Sequence, residues 1–456
     1  MPRAARGAGR AAPSPWAELD APLLHACFAL LPVDALATCA CVCRAWRAGA
    51  SAGALWQRVD LSAATGGLRR PPRLAALRGA MARATGHLQA LDLTDSMHNE
   101  WDMRDELLLL LPSHAATLRE LRVSNLGGYL GTHMFAELLR AAPALTALYG
   151  EVSDSPAQLL PLVRREPPFG PLRLQGLCPS EGGGSFVEVL AAAPAHAELR
   201  SLWFRFFDMS ADGAADALAD AVLASRVETV GTYHCAMSAA AVPGLVRLLG
   251  SRTLAALTLD QAGGEQLLTA EGGAALGEAL RANSTLTTFS LSSWSLWRPD
   301  PAGAIALLAA LQGHPTLRRL ELMCSDAGRA AKQVGEAVGQ IIAANAPALR
   351  SLKLVACGLG DAGLAPVAAA LRRNSHLEHL EIFNNDMTAL FAATQLLDAV
   401  VACPSLRDLN DNTAENHYGR TPAALFVKRR AARAAAAGEA DAPSRPVRRS
   451  ARRAPR

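Results

Sequence analysis

Apolar residues recur along this chain in two different rhythms. Near the start, Leu19, Leu23, Leu24, Cys27, Phe28 and Leu31 fall at helical spacing. Pro32 interrupts the run, a second one follows at Leu36, Cys39, Val42, Cys43 and Trp46, and Leu55–Trp56 closes it. This predicts a small helical unit over residues 16–60. From Leu88 the rhythm becomes a ladder, L-x-x-L-x-L. It reads LQALDL from Leu88, LRELRV from Leu118, LTALYG from Leu145, FGPLRL from Phe169, LRSLWF from Leu199 and VETVGT from Val227. It goes on with LAALTL from Leu254, LTTFSL from Leu286, LRRLEL from Leu317, LRSLKL from Leu349, LEHLEI from Leu377 and LRDLND from Leu406. Alternation of this kind predicts short strands, and the ladders start 24 to 32 residues apart.

A helix fits between successive ladders. In Asp361–Leu377 the apolar Leu364, Val367 and Leu371 lie on one stripe, and Asn374 with Ser375 marks the exit. Each unit is therefore strand, loop, helix and return. One unit cannot cover its own apolar strand face, so neighbours stack and their strands form one parallel sheet. The long period, with segments such as LTAEGGAALGEALRANSTL (Leu268–Leu286), resembles the ribonuclease-inhibitor class of leucine-rich repeats. That resemblance implies an α/β horseshoe with a concave parallel β-sheet and convex helices. It places a solenoid of about twelve repeats at 88–422, with a connector helix within 61–87. Glu151–Glu198 is the weakest stretch, interrupted by PPFGP (Pro167–Pro171) and Gly182–Gly184, and loops are expected to bulge there. Gly182–Gly184 and Gly272–Gly273 read as loop glycines, placed for their tolerance of positive φ.

A domain of about 40 residues is too small for a self-sufficient core. Yet the stretch from Leu19 carries more large apolar residues than it can cover, so it should bury the surplus against a partner. Its layout resembles an F-box, the helical module that docks onto the Skp-type adaptor of cullin-RING ubiquitin ligases. The specific part is Val42-Cys43-x-x-Trp46 followed nine residues later by Leu55-Trp56. Where the family usually begins Leu-Pro, this chain has Asp20, Ala21 and Pro22; proline suits a helix's first turn and Asp20 is a candidate N-cap. The resemblance assigns adaptor contact to Leu19, Leu23, Phe28, Leu31, Pro32, Leu36 and Val42, and internal packing to Trp46 and Trp56. Without it, the same helices could serve as a cap over the end of the repeats.

Charge separates the body from its ends. Lys428–Arg456 holds ten basic and two acidic residues, and Met1–Pro15 has three arginines, whereas the whole chain is only +4. The body is thus acidic on balance, which argues against a specific nucleic-acid-binding core. Residues 1–15 and 423–456 are expected to be disordered basic tails. Within the second, Lys428–Arg433 and Arg445–Arg453 look like a bipartite nuclear-import signal. Acidic residues and prolines break the N-terminal apolar run, and no stretch of about 18 apolar residues exists, so no membrane partner is expected. The nine cysteines form no CxxC pair, and Cys39, Cys41 and Cys43 do not converge on one ligand site. Unpaired thiols suit cytoplasm or nucleus.

In each ladder the leucines turn into the core and the residues between them face the other way. One such row runs Asp92, Arg122, Tyr149, Arg173, Trp203, Gly231, Thr258, Ser290, Glu321, Lys353, Glu381. The next runs Thr94, Ser124, Glu151, Gln175, Arg205, Tyr233, Asp260, Ser292, Met323, Val355, Phe383. Tyr149, Arg173, Trp203 and Arg205, with Tyr233 nearby, are expected to form an aromatic–cationic patch of the kind that dominates binding hot spots. Met323, Val355 and Phe383 form a second, apolar candidate. The eleven histidines are scattered without HExxH spacing, and no phosphate-loop or nucleophile-elbow motif occurs. No catalytic residue, cofactor or metal is expected. The reading is therefore a substrate-recognition subunit of an SCF (Skp–cullin–F-box) ligase, docked to a Skp-type adaptor and through it a cullin, with a protein substrate on the concave face. The alternative is a repeat-based scaffold or inhibitor unconnected with ubiquitination.

Overall fold

A computed structural model describes residues 20–410 except 32, 62–69, 94–100, 123–131, 167–172, 181–184, 212, 263–265, 294–295, 298–299 and 324–326. Both basic tails, Leu19, Pro32, PPFGP and Gly182–Gly184 lie outside the described residues. The chain divides into two compact units, Met1–Phe207 with Asp220–Thr229, and Asp208–Ala219 with Val230–Arg456.

The first unit opens with three short helices, α1 (Ala21–Phe28), α2 (Val33–Cys39) and α3 (Arg44–Ala50), and a 3₁₀ turn, Gly53–Trp56. Pro22 sits in the first turn of α1, where its missing N–H costs nothing; Asp20 caps with its backbone alone, its carbonyl accepting from Leu24 N–H at 2.9 Å. Cys43 caps α3, its sulfur accepting from Trp46 N–H at 3.5 Å. Leu24, Phe28, Leu36 and Trp56 are the buried large side chains of this cluster. Phe28 meets Trp46 edge-on, ring centroids 5.5 Å apart, and the Trp56 indole N–H donates to Ala50 O at 2.8 Å.

Six parallel strands follow in chain order: β1 (Arg58–Asp60), β2 (Ala90–Asp92), β3 (Glu120–Arg122), β4 (Ala147–Asp154), β5 (Arg173–Pro179) and β6 (Ser201–Arg205). Helix α4 (Arg70–Arg83) lies between β1 and β2, with Arg83 stacked 5.2 Å from the Trp56 ring centre. The sheet begins earlier than the ladder indicates. β1 lies within the residues assigned to the helical unit, carries only Val59 as a core residue, with Leu61 just after it, and pairs in register with β2. Gln57 O accepts from both Gln89 and Ala90 N–H, at 2.7 and 3.0 Å.

The second unit holds β7 (Thr229–Tyr233), β8 (Cys235–Ala236), β9 (Ala256–Ala262), β10 (Thr288–Ser293), β11 (Arg319–Met323), β12 (Ser351–Val355), β13 (His379–Glu381) and β14 (Asp408–Asn410). From β9 to β14 each strand pairs in parallel with the next, ladder residue against ladder residue, as in Leu291↔Leu322 and Leu352↔Leu380. These side chains are buried against helices such as Ala270–Ala282, Ala302–Ala310, Ala331–Ala343 and Gly360–Leu371. Gly272 and Gly273 are inside the first of these helices, not in a loop. Their role is space: a Cβ on Gly273 would fall 2.0 Å from Gly303 O, and one on Gly335 only 1.9 Å from Gly363 O. Glycine is required there because neighbouring helices touch backbone to backbone.

Two devices recur along the repeats. After the strand, Phe206, His234, Ala356 and Asn384 each adopt positive φ, at 60, 50, 53 and 58°. Before the strand, a buried polar residue ties one repeat to the last. Asn374 Nδ2 donates to Ile342 O while its Oδ1 accepts from His376 and Leu377 N–H; Asn283 does the same to Leu249 O and to Thr285 and Leu286 N–H. His314 fills that slot with its ring. Nδ1 accepts from Leu317 N–H at 3.2 Å, which leaves Nε2–H to donate to Leu280 O at 3.0 Å. His196 reaches Val163 O from the equivalent place in the first unit. These histidines read as scattered because their register is set by the ladder leucine three residues on, not by each other.

Candidate protein-docking surfaces

The helical unit presents a finished core and an unfinished exterior. Leu30 is 86 % exposed, Val42 60 %, and Leu23 and Leu31 are also exposed, with the Cys27 and Cys41 thiols alongside. Of the adaptor-contact residues inferred from sequence, Leu23, Leu31 and Val42 are therefore available at the surface. Phe28 and Leu36 are not: each is 2 % exposed. Phe28 is held between Trp46 and the backbone of Gly49, where a Cβ would stand 3.1 Å from its ring. They lie in the core of the helical unit and do not stand at the surface with the other three. Leu30, the most exposed of the set, escaped the sequence reading because it lies off the α1 stripe, just past the helix end.

On the sheet, the face turned away from the helices carries the rows between the ladder residues. In the first unit Asp60, Asp92, Arg122 and Tyr149 are level across β1–β4, and the Arg122 guanidinium lies 4.3 Å over the Tyr149 ring. Arg173 does not join this row. Leu148 pairs with Leu174, so Arg173 stands opposite Ala147, and β4 carries an extra residue before Glu151 re-pairs with Gly176. Leu177 pairs with Leu202, which sets Trp203 level with Cys178, further along the strands. Trp203 and Arg205 do share one half-exposed face of β6. The single patch expected from ladder alignment is thus separated into an Arg122–Tyr149 stack and a Trp203–Arg205 edge, because β5 meets β4 through Leu174 and β6 through Leu177, not through Leu172.

In the second unit the alignment holds. Thr258, Ser290, Glu321, Lys353 and Glu381 are level, with Lys353 paired to Glu381 at 3.6 Å; Asp260, Ser292, Met323 and Val355 form the next row. Phe383 O accepts from Ala356 N–H, bringing Phe383 to that row's end, although Val355 is buried. Tyr233, 45 % exposed, ends β7 with its ring edge-on to His234. Burial raises the Asp260 carboxyl above its ordinary range, partly offset by His234, whose charge and backbone N–H both favour the carboxylate.

An F-box-like family profile matches residues 21–62. No curated protein matches the sequence. Among solved structures, the chain is similar to the leucine-rich repeat-containing protein LegL7 from Legionella pneumophila (14 % identity, TM-score 0.32, covering 80 % of this chain and 95 % of that one). It is also similar to a TLR13–ssRNA13 complex (15 % identity, TM-score 0.34, covering 73 % of this chain and 47 % of that one). Scores so low carry no weight for the fold, which rests on the strand order and register above. Among the described residues, no helix is long and apolar enough to cross a membrane. The chain thus carries an F-box-like domain at residues 21–62, followed by strand-and-helix units on a parallel sheet that have the architecture of leucine-rich repeats.

Proposed function

We propose that this protein is the substrate-recognition subunit of an SCF-type ubiquitin ligase, a specific form of the interaction adaptor that its two kinds of domain make. One observation carries the reading. Leu23, Leu30, Leu31 and Val42 stay exposed although the unit already has a core of Leu24, Phe28, Leu36 and Trp56. A cap over the repeats would have used such side chains inward; exposed together on a small domain, they fit a docking surface. The partner at that surface is a Skp-type adaptor, which brings a cullin. The helix-free face of the sheet then holds a protein substrate, and catalysis is by proximity, contributed by other subunits.

The test is co-purification of the full chain with a Skp-type adaptor. The wild type should retain the adaptor, and the L30D/V42D double variant should lose it without a change in melting temperature. A wild-type chain that never retains the adaptor sinks this reading and favours a scaffold unconnected with ubiquitination.

A further inference from the structure

Resting on the reading of the sheet as the partner-binding surface, we propose that the second unit has a recess for a basic side chain, an arginine or lysine of the bound protein, between Tyr233 and Asp260. The sheet is distorted at this point. The Thr232 hydroxyl takes the place of a ladder carbonyl, accepting from Asp260 N–H at 2.8 Å, and Cys235 is already level with Gln261. Tyr233 and His234 are left to flank Asp260, His234 in the same left-handed conformation, φ 50°, that Phe206, Ala356 and Asn384 take after their strands.

What the distortion assembles is suited to a cation. Tyr233 offers an exposed ring, and Asp260 a half-buried carboxylate whose burial disfavours its charge. Ser292 and Ser290, from β10 on the other side, bring no charge to offset it. Glu321, level with Ser290, adds a second carboxylate to the same face. The second observation is Ser290 itself, 2 % exposed, with a hydroxyl that has no hydrogen-bond partner. Such a group is rarely left unmatched in a folded protein. A guanidinium brings several N–H donors and a flat face: donors for Asp260 and the serine row, the face for Tyr233.

The experiment uses the full chain and a fluorescein-labelled arginine–glycine peptide, read by anisotropy, with a citrulline–glycine peptide of the same shape but no charge. The wild type should bind the arginine peptide and not the citrulline one. D260N should weaken binding about tenfold or more, Y233A should weaken it, and D408N, an exposed acid on β14, should leave it unchanged. Equal binding by D260N and wild type, equal binding of both peptides, or no binding by the wild type overturns the recess. Adaptor retention, measured on the same protein, reports separately on the ligase reading. A chain that keeps the adaptor but ignores the arginine peptide loses the recess alone.

Discussion

His314 does with a ring what Asn283 and Asn374 do with an amide, but only while it is neutral. Burial lowers its pKa from the ordinary value, as it does for His196. The unfolded chain therefore takes up protons first as pH falls, so these groups stabilise the fold fully above about pH 6.5 and less below it. A melting series from pH 8 to 5.5 should show a falling midpoint. H314N, which copies the neighbouring repeats, should flatten part of that slope while still folding. N374A removes an amide that meets three backbone groups, and urea titration should show a loss of about 1–3 kcal/mol. At this scale the sequence announced Asn374 as a helix exit, but not the histidines, since their chemistry is visible only once the ladder sets their register.

Among elements, the same logic separates core from surface in the helical unit. F28A should cost about 3–5 kcal/mol, because it empties the contact with Trp46; L30D should cost almost nothing in a thermal melt. The helices between the strands give the converse case, where adding atoms does the damage. G273V should lower stability by at least about 1–3 kcal/mol, since the branch would meet the Gly303 backbone. Strand and helix periodicity was plain in the ladders, as were the stripes of Leu364, Val367 and Leu371. Register was not: FGPLRL can be aligned to its neighbours at Leu172 or Leu174, and only the pairing of Leu148 with Leu174 in the folded sheet decides it. That choice moved Arg173 away from Tyr149.

For the molecule as a whole, the order of its parts was legible from two apolar rhythms, and their junction was not. The helical unit and the sheet share residues. Gln57 accepts two N–H groups from the start of β2, β1 follows at once, and Trp56 is fixed by Ala50 O and Arg83. No linker intervenes. A partner gripped by Leu30 and Val42 would thus hold the first strands at a set bearing, as a fixed bracket does rather than a tether. Flexible residues inserted between Ala52 and Gly53 should leave both grips intact, yet slow any reaction that relies on their mutual aim.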